Sequence, residues 1–315
     1  MANEIYASSN PGPADMLVGA IASRNARLLL GSRFSLRNAP WLVNLGQDLI
    51  GLSASGNLQI GLVSLGGTDL MSSVAENASI SNTSVTTDQA TCTPADYGLA
   101  REVSDKALRR DPTGLFDPMS LAMDGVASAG MTLTSLLAQE LDGLTQVGTT
   151  GADFTHDTFL AAQFALEQAL VPGPYAALLK PKQFNDWQND LESRGGLTQW
   201  RPASADMQML RGEGYKGNYN GIDIMTSGLV QSANSGADWA GAMWGVGCVG
   251  YLEEAQGPAN PAMVVLLEVA GSGGVVIRVE LSRNSKGRMT ATVTHYVVGT
   301  CVIEAARGRT LISGQ

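Results

Sequence analysis

The sequence predicts an α+β fold, and three segments carry that prediction. Residues 177–187 (ALLKPKQFNDW) pass from an apolar strand into a polar and aromatic helix. Pro181 forces the change there, because proline removes a backbone donor and fixes φ. Residues 118–144 place apolar or small side chains at helical spacing. Residues 262–298 have the pattern of three strands joined by tight turns. We therefore expect a long helix combined with an antiparallel sheet.

The long helix has clear start signals. Asp117 is the expected N-cap and Pro118 the first helical residue. Apolar or small residues then follow at spacings of four and three: Met119, Met123, Val126, Gly130, Leu133, Leu137, Leu141 and Leu144. At ~1.5 Å per residue a continuous helix over residues 118–144 would be about 40 Å long. Two interior glycines, Gly125 and Gly130, each weaken it by about 1 kcal/mol relative to Ala.

A second helix is predicted between Thr155, its N-cap, and Pro172, which ends it. Phe154 and Phe159 are placed to form a hydrophobic staple at its start. Apolar positions continue along one face as far as Ala169. This segment is therefore expected to pack one face on a core.

Residues 219–225 (YNGIDIM) predict a tight turn followed by a strand. The Asn-Gly pair supplies the turn, and the two isoleucines alternate with an aspartate at the period of two expected of a half-buried strand. Near the C-terminus, a last strand is predicted at about residues 300–305.

The first third of the chain lacks strong periodicity. Residues 1–60 contain only a loosely amphipathic stretch at 14–30, which predicts an extended arm with a short helix. Residues 62–103 are rich in Ser, Thr, Asn and Gly, and the alternating run 78–87 suits an exposed two-stranded ribbon. Because an isolated hairpin is marginal in water, such a ribbon is expected to rest on a neighbouring subunit.

Composition limits the possible functions. The 315 residues suffice for one elaborate or two ordinary domains. Hydrophobic residues make up 44% and charged residues 16%, against roughly 25% charged in an average soluble protein, so we expect apolar surface beyond a monomer core. The net charge of −9 argues against general nucleic-acid affinity. No apolar run approaches ~18 residues and no signal peptide is visible, so a membrane or secreted location is not expected.

The cysteines and histidines do not form a recognisable site. Cys92, Cys248 and Cys301 are far apart and form no Cys-x-x-Cys pair, so neither a zinc site nor a disulfide framework is predicted, and a reducing cytoplasm is the simple interpretation. His156 falls in the first turn of a predicted helix and His295 within a predicted strand. We expect both histidines to be structural.

Two further segments have a structural and a functional interpretation. The run Gly271-Ser-Gly-Gly274 lacks phosphate-loop spacing and joins strand to strand, so a hairpin turn is expected. Trp239, Met243 and Trp244 could line a pocket, but core or intersubunit contacts are favoured. We predict no catalytic, cofactor-binding or metal-binding residues.

The order of these segments resembles the major capsid proteins of tailed double-stranded DNA bacteriophages, which have the HK-97-like coat-protein fold. The resemblance covers nearly the whole chain and rests on the order of arm, polar ribbon, long helix, KPKQFNDW, YNGIDIM and closing strands. It implies an N-terminal arm at residues 1–61, an extended β-hairpin loop at 62–105, a peripheral domain with the long spine helix at 106–147, an axial domain at 148–256, and peripheral return strands of the antiparallel sheet at 257–315.

The resemblance also implies a function. The chain would be a structural protein, not an enzyme, that assembles as pentamers and hexamers into an icosahedral shell around double-stranded DNA, and it would need no cofactor. Its partners would be many copies of itself, a portal, a separate scaffolding or decoration protein, and packaged DNA in weak contact, with no membrane. It would be made in the host cytoplasm and located in the virion. An encapsulin-like compartment shell and an acidic cytoplasmic enzyme remain as alternatives.

Two residue-level expectations follow from the resemblance. Some relatives form an isopeptide bond from a lysine of the extended loop to an asparagine of a neighbour. The first lysine of this chain is Lys106, so that cross-link is not expected here. The densest basic cluster lies in the arm, where it could touch packaged DNA, although a solvated or subunit-paired face is favoured; its members are Arg24, Arg27, Arg33 and Arg37.

Overall fold

The structure is a computed structural model. It describes residues 36, 39–45, 58–63, 87–110, 117–195, 199–212, 214–257, 264–271, 274–284 and 287–315. The helices in these ranges are α1 (Asp105–Arg110), α2 (Pro118–Asp142), α3 (His156–Gln168), α4 (Pro181–Ser193) and α5 (Ala205–Arg211).

The strands form three sheets. In chain order they are β1 (Val43–Asn44), β2 (Leu58–Val63), β3 (Thr87–Cys92), β4 (Ala95–Ser104), β5 (Gln146–Gly148), β6 (Ala176–Leu179), β7 (Trp200–Pro202), β8 (Tyr215–Tyr219), β9 (Ile222–Thr226), β10 (Ser232–Ala233), β11 (Asp238–Trp244), β12 (Val249–Glu253), β13 (Val264–Gly271), β14 (Gly274–Asn284), β15 (Met289–Val302) and β16 (Gly308–Gly314). The predicted α+β class and antiparallel meander are confirmed.

The long helix α2 begins at Pro118, directly after Asp117, as predicted, and ends at Asp142. Its buried face lies in the main core and packs mainly on β15, with smaller and similar contacts to β14 and β11. The Oγ1 of Thr310, in β16, donates to the carbonyl of Leu141 at 2.7 Å. Because the last carbonyls of a helix have no partner within it, this bond both caps α2 and ties it to a second sheet.

The same helix is long and apolar enough to cross a membrane by length and composition alone. The expectation that no apolar segment approaches that length is therefore corrected. Helices in the core of a soluble protein meet the same criteria of length and composition. Ten residues of α2 are buried against the rest of the chain, which explains its apolar character as that of a core helix: Ala122, Gly125, Val126, Ala129, Gly130, Leu133, Thr134, Leu137, Ala138 and Leu141.

The first sheet has six strands in the order β1-β12-β15-β14-β13, with β4 also pairing with β15. All its pairs are antiparallel except β1 with β12. The central strand β15 is 14 residues long, and its side chains alternate between the core under α2 and the opposite face. The second strand of the predicted ribbon thus continues into this sheet as β4.

The second sheet has eight strands in the order β5-β16-β11-β6-β9-β8-β7, with β10 pairing with β11. It is mixed, since β6 is parallel to β9 and β16 is parallel to β5. The predicted junction at Pro181 is confirmed, because β6 ends at Leu179 and α4 begins at the proline. The Asn-Gly turn between β8 and β9 is also confirmed.

The C-terminal strands depart from the prediction. Residues 300–305 do not form a separate strand, because β15 runs on to Val302 and the last strand is β16. That last strand belongs to the eight-stranded sheet, whereas β12 belongs to the six-stranded one. The helix α3 ends at Gln168, four residues before the Pro172 predicted to end it. Most of the expected N-terminal arm lies outside the described residues.

Candidate functional site

The junction KPKQ, the most distinctive sequence feature, is an internal hydrogen-bonding centre. The side chain of Gln183 is fully buried and accepts a bond from the backbone N–H of Lys180 at 3.0 Å. It donates to the carbonyls of Leu311 at 3.0 Å and Trp239 at 3.2 Å. One amide therefore joins the start of α4 to β11 and β16.

The lysine at this junction is also used internally. The Nζ of Lys180 donates to the carbonyl of Gly228 at 2.6 Å and that of Val230 at 3.2 Å. It lies 4.0 Å from the ring centroid of Trp239, within cation–π range. Partial burial lowers the pKa of this lysine. Its contacts hold the loop after β9.

An aromatic cluster packs beneath α3 and α4. Trp187 is fully buried and lies 5.3–5.4 Å, centroid to centroid, from the rings of Phe159, Trp200 and Tyr219. Edge-to-face and tilted pairs at such distances add to the stabilisation that comes from burial alone. The predicted staple residue Phe159 is thus a core residue of this half of the molecule.

His156 belongs to the same cluster. Its Nε2 lies 3.2 Å from the hydroxyl of Tyr219, and the two rings pack edge to face at 5.2 Å. Burial, with Arg194 adding to it, lowers the pKa of His156. Among the described residues no group of three His, Cys, Asp or Glu could hold a metal ion.

The second histidine, His295, lies in β15 opposite Gly98 and Arg278. His156 begins helix α3 whereas His295 lies in the six-stranded sheet, so the two histidines are in different elements and do not form a common site. The Gly271–Gly274 segment joins β13 to β14, and Gly271 and Gly274 are cross-strand partners. This agrees with the predicted hairpin turn. The arginine cluster Arg24, Arg27, Arg33 and Arg37 lies outside the described residues.

The predicted aromatic segment is core rather than pocket lining. Met243 and Trp244 are fully buried in β11, and the indole N–H of Trp244 donates to the carbonyl of Pro40 at 3.2 Å. A Cβ on Gly245 would lie 2.7 Å from Val171 Cγ1, so the chain packs too closely there for any larger residue. Trp239 is half-buried and meets Lys180.

The outer surface, in contrast, exposes several large apolar side chains. Leu160 and Phe164 lie one turn apart on the open face of α3, and Phe164 is 59% exposed. Just beyond the helix, Leu170 is 61% exposed, and at the start of β13 Val264 is 58% exposed. Sequence reasoning predicted excess apolar surface from composition but did not locate it.

The six-stranded sheet also leaves two long edges. Among the described strands β4 pairs only with β15, and β13 pairs only with β14. An open edge presents backbone donors and acceptors that can pair with another chain. Beside β4, a groove of about 230 Å³ runs along α2 and is bordered by small residues of the helix, among them Gly125, Ser128 and Ala129.

Comparison with known proteins adds the decisive observation. No protein-family model and no curated protein matches the sequence. Solved structures do match the structure of this chain. The capsid of cyanophage Pam1 superposes with a TM-score of 0.55 at 13% identity, over 88% of this chain and 92% of that one. The chain has the HK97-like coat-protein fold.

Two more structures with the HK97-like fold support this. The mature capsid of bacteriophage PhiM1 gives a TM-score of 0.53 at 9% identity, over 89% of this chain and 87% of that one. The SrpI encapsulin complex of Synechococcus elongatus gives 0.53 at 13% identity, over 82% and 81%. At such low identities the similarity lies in the backbone path, and the fold predicted from the order of sequence segments is confirmed.

Proposed function

We propose that this chain is the major structural subunit of a virion shell, assembling as pentamers and hexamers into an icosahedral capsid that encloses double-stranded DNA. One observation carries the proposal: the fold follows phage capsid subunits over almost the full length of both chains. A subunit of a closed shell works by contacting copies of itself. The arrangement of the surface supports that role.

The exposed apolar residues are where such contacts would be most favourable. Burying apolar area contributes roughly 25 cal/mol per Å², from which the cost of association is subtracted. Phe164 and Leu160 on α3, and Val264 at the edge of β13, are large side chains that the subunit leaves in water. We propose that neighbouring subunits cover them in the shell.

The predicted domain division remains a proposal, and following the sheets changes it at two strands: β12, predicted as axial, joins the peripheral sheet, and β16, predicted as peripheral, joins the axial sheet. The six-stranded sheet with α2 would be the peripheral domain, and the eight-stranded sheet with α3 and α4 the axial domain. The loop at residues 62–105 would overlap a neighbour, and the arm would run along the shell. A portal and a separate scaffolding or decoration protein would complete the particle.

The acidic balance fits a shell around packaged DNA. With a net charge of −9, the subunit carries few groups that could neutralise phosphates. Weak contact with the genome would assist packaging and release. Strong binding of the free subunit to duplex DNA at physiological salt would contradict this part of the proposal.

The first test is to express the chain alone and examine it by size-exclusion chromatography and negative-stain electron microscopy. Closed shells, or rings the size of hexamers, support the proposal. A monomer or dimer that fails to form shells even with a co-expressed scaffolding protein contradicts it and favours the enzyme alternative.

The content of native particles separates the capsid from the encapsulin-like alternative. Nuclease-resistant double-stranded DNA of uniform length inside the particle supports a capsid. An enclosed enzyme without DNA supports a compartment shell, as the match to the SrpI complex allows.

A further inference from the structure

Two of the three cysteines meet in a small core of their own. Cys92, at the end of β3, and Cys301, in β15, are buried together with Leu45 and Leu252. The neighbouring Thr300 shows which face of the sheet Cys301 occupies. The Oγ1 of Thr300 donates to the carboxylate of Glu140, in α2, at 3.0 Å, so Thr300 faces the helix. Because side chains alternate along a strand, Cys301 points to the opposite face of the six-stranded sheet.

The strand register brings the two cysteines opposite each other. In the antiparallel pair of β4 and β15, Ala95 is the partner of Val298. Continued three residues beyond the end of this ladder, the same register would place Cys92 beside Cys301, in agreement with their shared buried cluster. The intervening chain stays against β15, since a Cβ on Gly299 would lie 2.7 Å from the carbonyl oxygen of Thr93.

This arrangement suits a disulfide. Directly opposed residues of an antiparallel pair have Cα atoms about 4.5–5.5 Å apart, inside the ~4.4–6.8 Å range that a disulfide spans. The two thiols are close enough to influence each other's ionisation, since the Cys301 thiol lowers the pKa of Cys92. The residue beside Cys301 on the other neighbouring strand is Gly250, which has no side chain to compete for the space. The sequence predicted no disulfide framework, and the three cysteines are free in the structure; the proximity of Cys92 and Cys301 depends on tertiary packing that their spacing in the sequence does not show.

We propose that Cys92 and Cys301 form an intrasubunit cross-link site, in which a peroxide met outside the reducing cytoplasm converts the two free thiols into a disulfide. The bond would fasten the base of the β2–β3 ribbon to the six-stranded sheet. Its purpose, fixing the ribbon in a released particle, rests on the proposed shell function, whereas formation of the bond does not.

The chemistry is balanced and has a defined order. The neighbouring Cys301 thiol lowers the pKa of the Cys92 thiol, so Cys92 supplies the thiolate nucleophile. Its sulfur attacks one peroxide oxygen, the O–O bond breaks, and Cys92 becomes a sulfenic acid. The sulfur of Cys301 then attacks that of Cys92. The displaced hydroxide leaves as water with the Cys301 proton, so two thiols and one peroxide give one disulfide and two waters.

The third cysteine provides an internal control. Cys248 is fully buried in the main core, and burial raises the pKa of its thiol to about 12. Because Cys92 is equally buried, the two differ in the direction of their pKa shifts and in the absence of a second thiol from the described cluster around Cys248. A selective reaction should spare it.

The experiment exposes the purified, folded full-length chain to equimolar hydrogen peroxide at neutral pH. Free thiols are then counted after denaturation, and non-reduced proteolytic fragments are analysed by mass spectrometry. We expect three thiols to fall to one, with a linked peptide pair containing Cys92 and Cys301 and a mass loss of two hydrogens. Reduction should reverse the change.

Three variants separate this result from incidental oxidation. Cys92→Ser and Cys301→Ser each retain two thiols, and neither should form the disulfide. Cys248→Ser should still form it. Oxidation should raise the Tm of the wild-type chain and of Cys248→Ser but not of the other two. Three remaining thiols, a linked peptide that contains Cys248, or bonds only between chains would overturn the proposal. None of these outcomes depends on whether shells form, which electron microscopy of the same samples decides separately.

Discussion

The two large sheets of this subunit differ in the contacts that stabilise them and in the edges that they leave unpaired. The eight-stranded sheet is held by buried polar side chains that cross between its elements, as Gln183 does between α4, β11 and β16. The six-stranded sheet combines apolar packing under α2 with buried polar contacts such as the hydrogen bond from Tyr296 to Glu253, and among the described strands β4 and β13 each pair along one edge only. The unpaired edges of the six-stranded sheet are also longer, since β4 and β13 have ten and eight residues, whereas the end strands β5 and β7 of the eight-stranded sheet have three each.

The polar ties of the eight-stranded sheet are numerous. Asp223, in β9, accepts hydrogen bonds from the hydroxyl of Tyr215 and the amide of Asn218, each at 3.0 Å, and pairs with Arg211. Burial, with Asp223 adding to it, raises the pKa of Tyr215 to about 12. Such networks fix one arrangement of strands, because any displaced partner would leave a buried polar group unsatisfied.

The contrast predicts that the largest losses of stability come from the core of the eight-stranded sheet. Trp187→Ala should lower the free energy of unfolding by about 3–5 kcal/mol, because it empties the centre of the aromatic cluster. Denaturant unfolding of the soluble chain measures this.

The matched control is Trp187→Phe. The indole N–H of Trp187 has no hydrogen-bond partner in the described part of the chain, so a smaller ring loses volume but no polar contact. We expect a clearly smaller cost than for alanine. Equal costs for the two variants would show that the cluster does not behave as a packed core.

The next largest effect on the free energy of unfolding should come from the hydrogen bonds of Gln183. Gln183→Met keeps the size of the side chain but leaves the N–H of Lys180 and the carbonyls of Trp239 and Leu311 without this partner. We expect a loss of about 1–3 kcal/mol in unfolding free energy. Gln168→Met, on the exposed end of α3, is the control and should change stability by less than about 0.5 kcal/mol. Equal stability of the two variants would mean that the hydrogen bonds of Gln183 do not stabilise this part of the fold.

A smaller effect is expected under α2. A Cβ on Gly125 would lie 2.0 Å from the Oγ1 of Thr294 and 3.1 Å from its Cβ. Gly125→Ala therefore forces β15 and the helix apart, at a cost of about 1–3 kcal/mol that the better helix propensity of alanine offsets by about 1 kcal/mol.

A double-mutant cycle isolates the clash. Adding Thr294→Ala should make Gly125→Ala clearly less costly, because the Oγ1 atom at 2.0 Å is gone and only the Cβ at 3.1 Å remains. Gly143→Ala, whose Cβ would have ordinary contact at 3.6 Å, should be nearly neutral. Additive effects of the two substitutions would rule out close contact between α2 and β15 at this point.

The aromatic cluster should also give the subunit a pH dependence. The pKa of His156 is lowered from its ordinary value of 6.5, first by burial and then by Arg194, against the opposing influence of Asp190 and Asp157. Above pH 6.5 both folded and unfolded chains are neutral at this residue and stability is complete. Below it the unfolded chain takes up a proton that the folded chain resists, so stability falls.

Urea unfolding from pH 7.5 to 5 tests this. The wild-type chain should lose stability as the pH falls through 6.5, and His156→Gln, which cannot titrate, should lose less over the same interval. Parallel curves for the two proteins would mean that His156 is not the responsible group.

The smallest effect on the subunit itself should come from its surface. Phe164→Asp on α3 should change the unfolding free energy little, because the ring is 59% exposed. It should nevertheless reduce shell formation, as seen by sedimentation and electron microscopy, if a neighbour covers this face. Gln168→Asp adds the same charge nearby without removing apolar area and should assemble normally. Normal assembly of Phe164→Asp would place the contact elsewhere.

Local signals predicted the elements around the site but not the side chains that join them. The proline at 181 and the Asn-Gly turn at 220–221 act on their own backbone, so β6, α4 and the β8–β9 hairpin were predictable. Nothing local marks Gln183 as buried, because a polar residue in the first turn of a helix is usually exposed. Its partners at positions 239 and 311 come together only when three distant segments form one sheet.

The sequence by itself determined the α+β class, the position of α2, the meander of β13 to β15 and the resemblance to a capsid fold, because these follow from periodicity, turn residues and their order. Only the tertiary structure decided that β16 joins the eight-stranded sheet, that Thr310 caps α2, and that Cys92 faces Cys301. Each of these depends on long-range strand pairing. Pairing is chosen by the packing and hydrogen bonding of whole faces, which no short segment of sequence specifies.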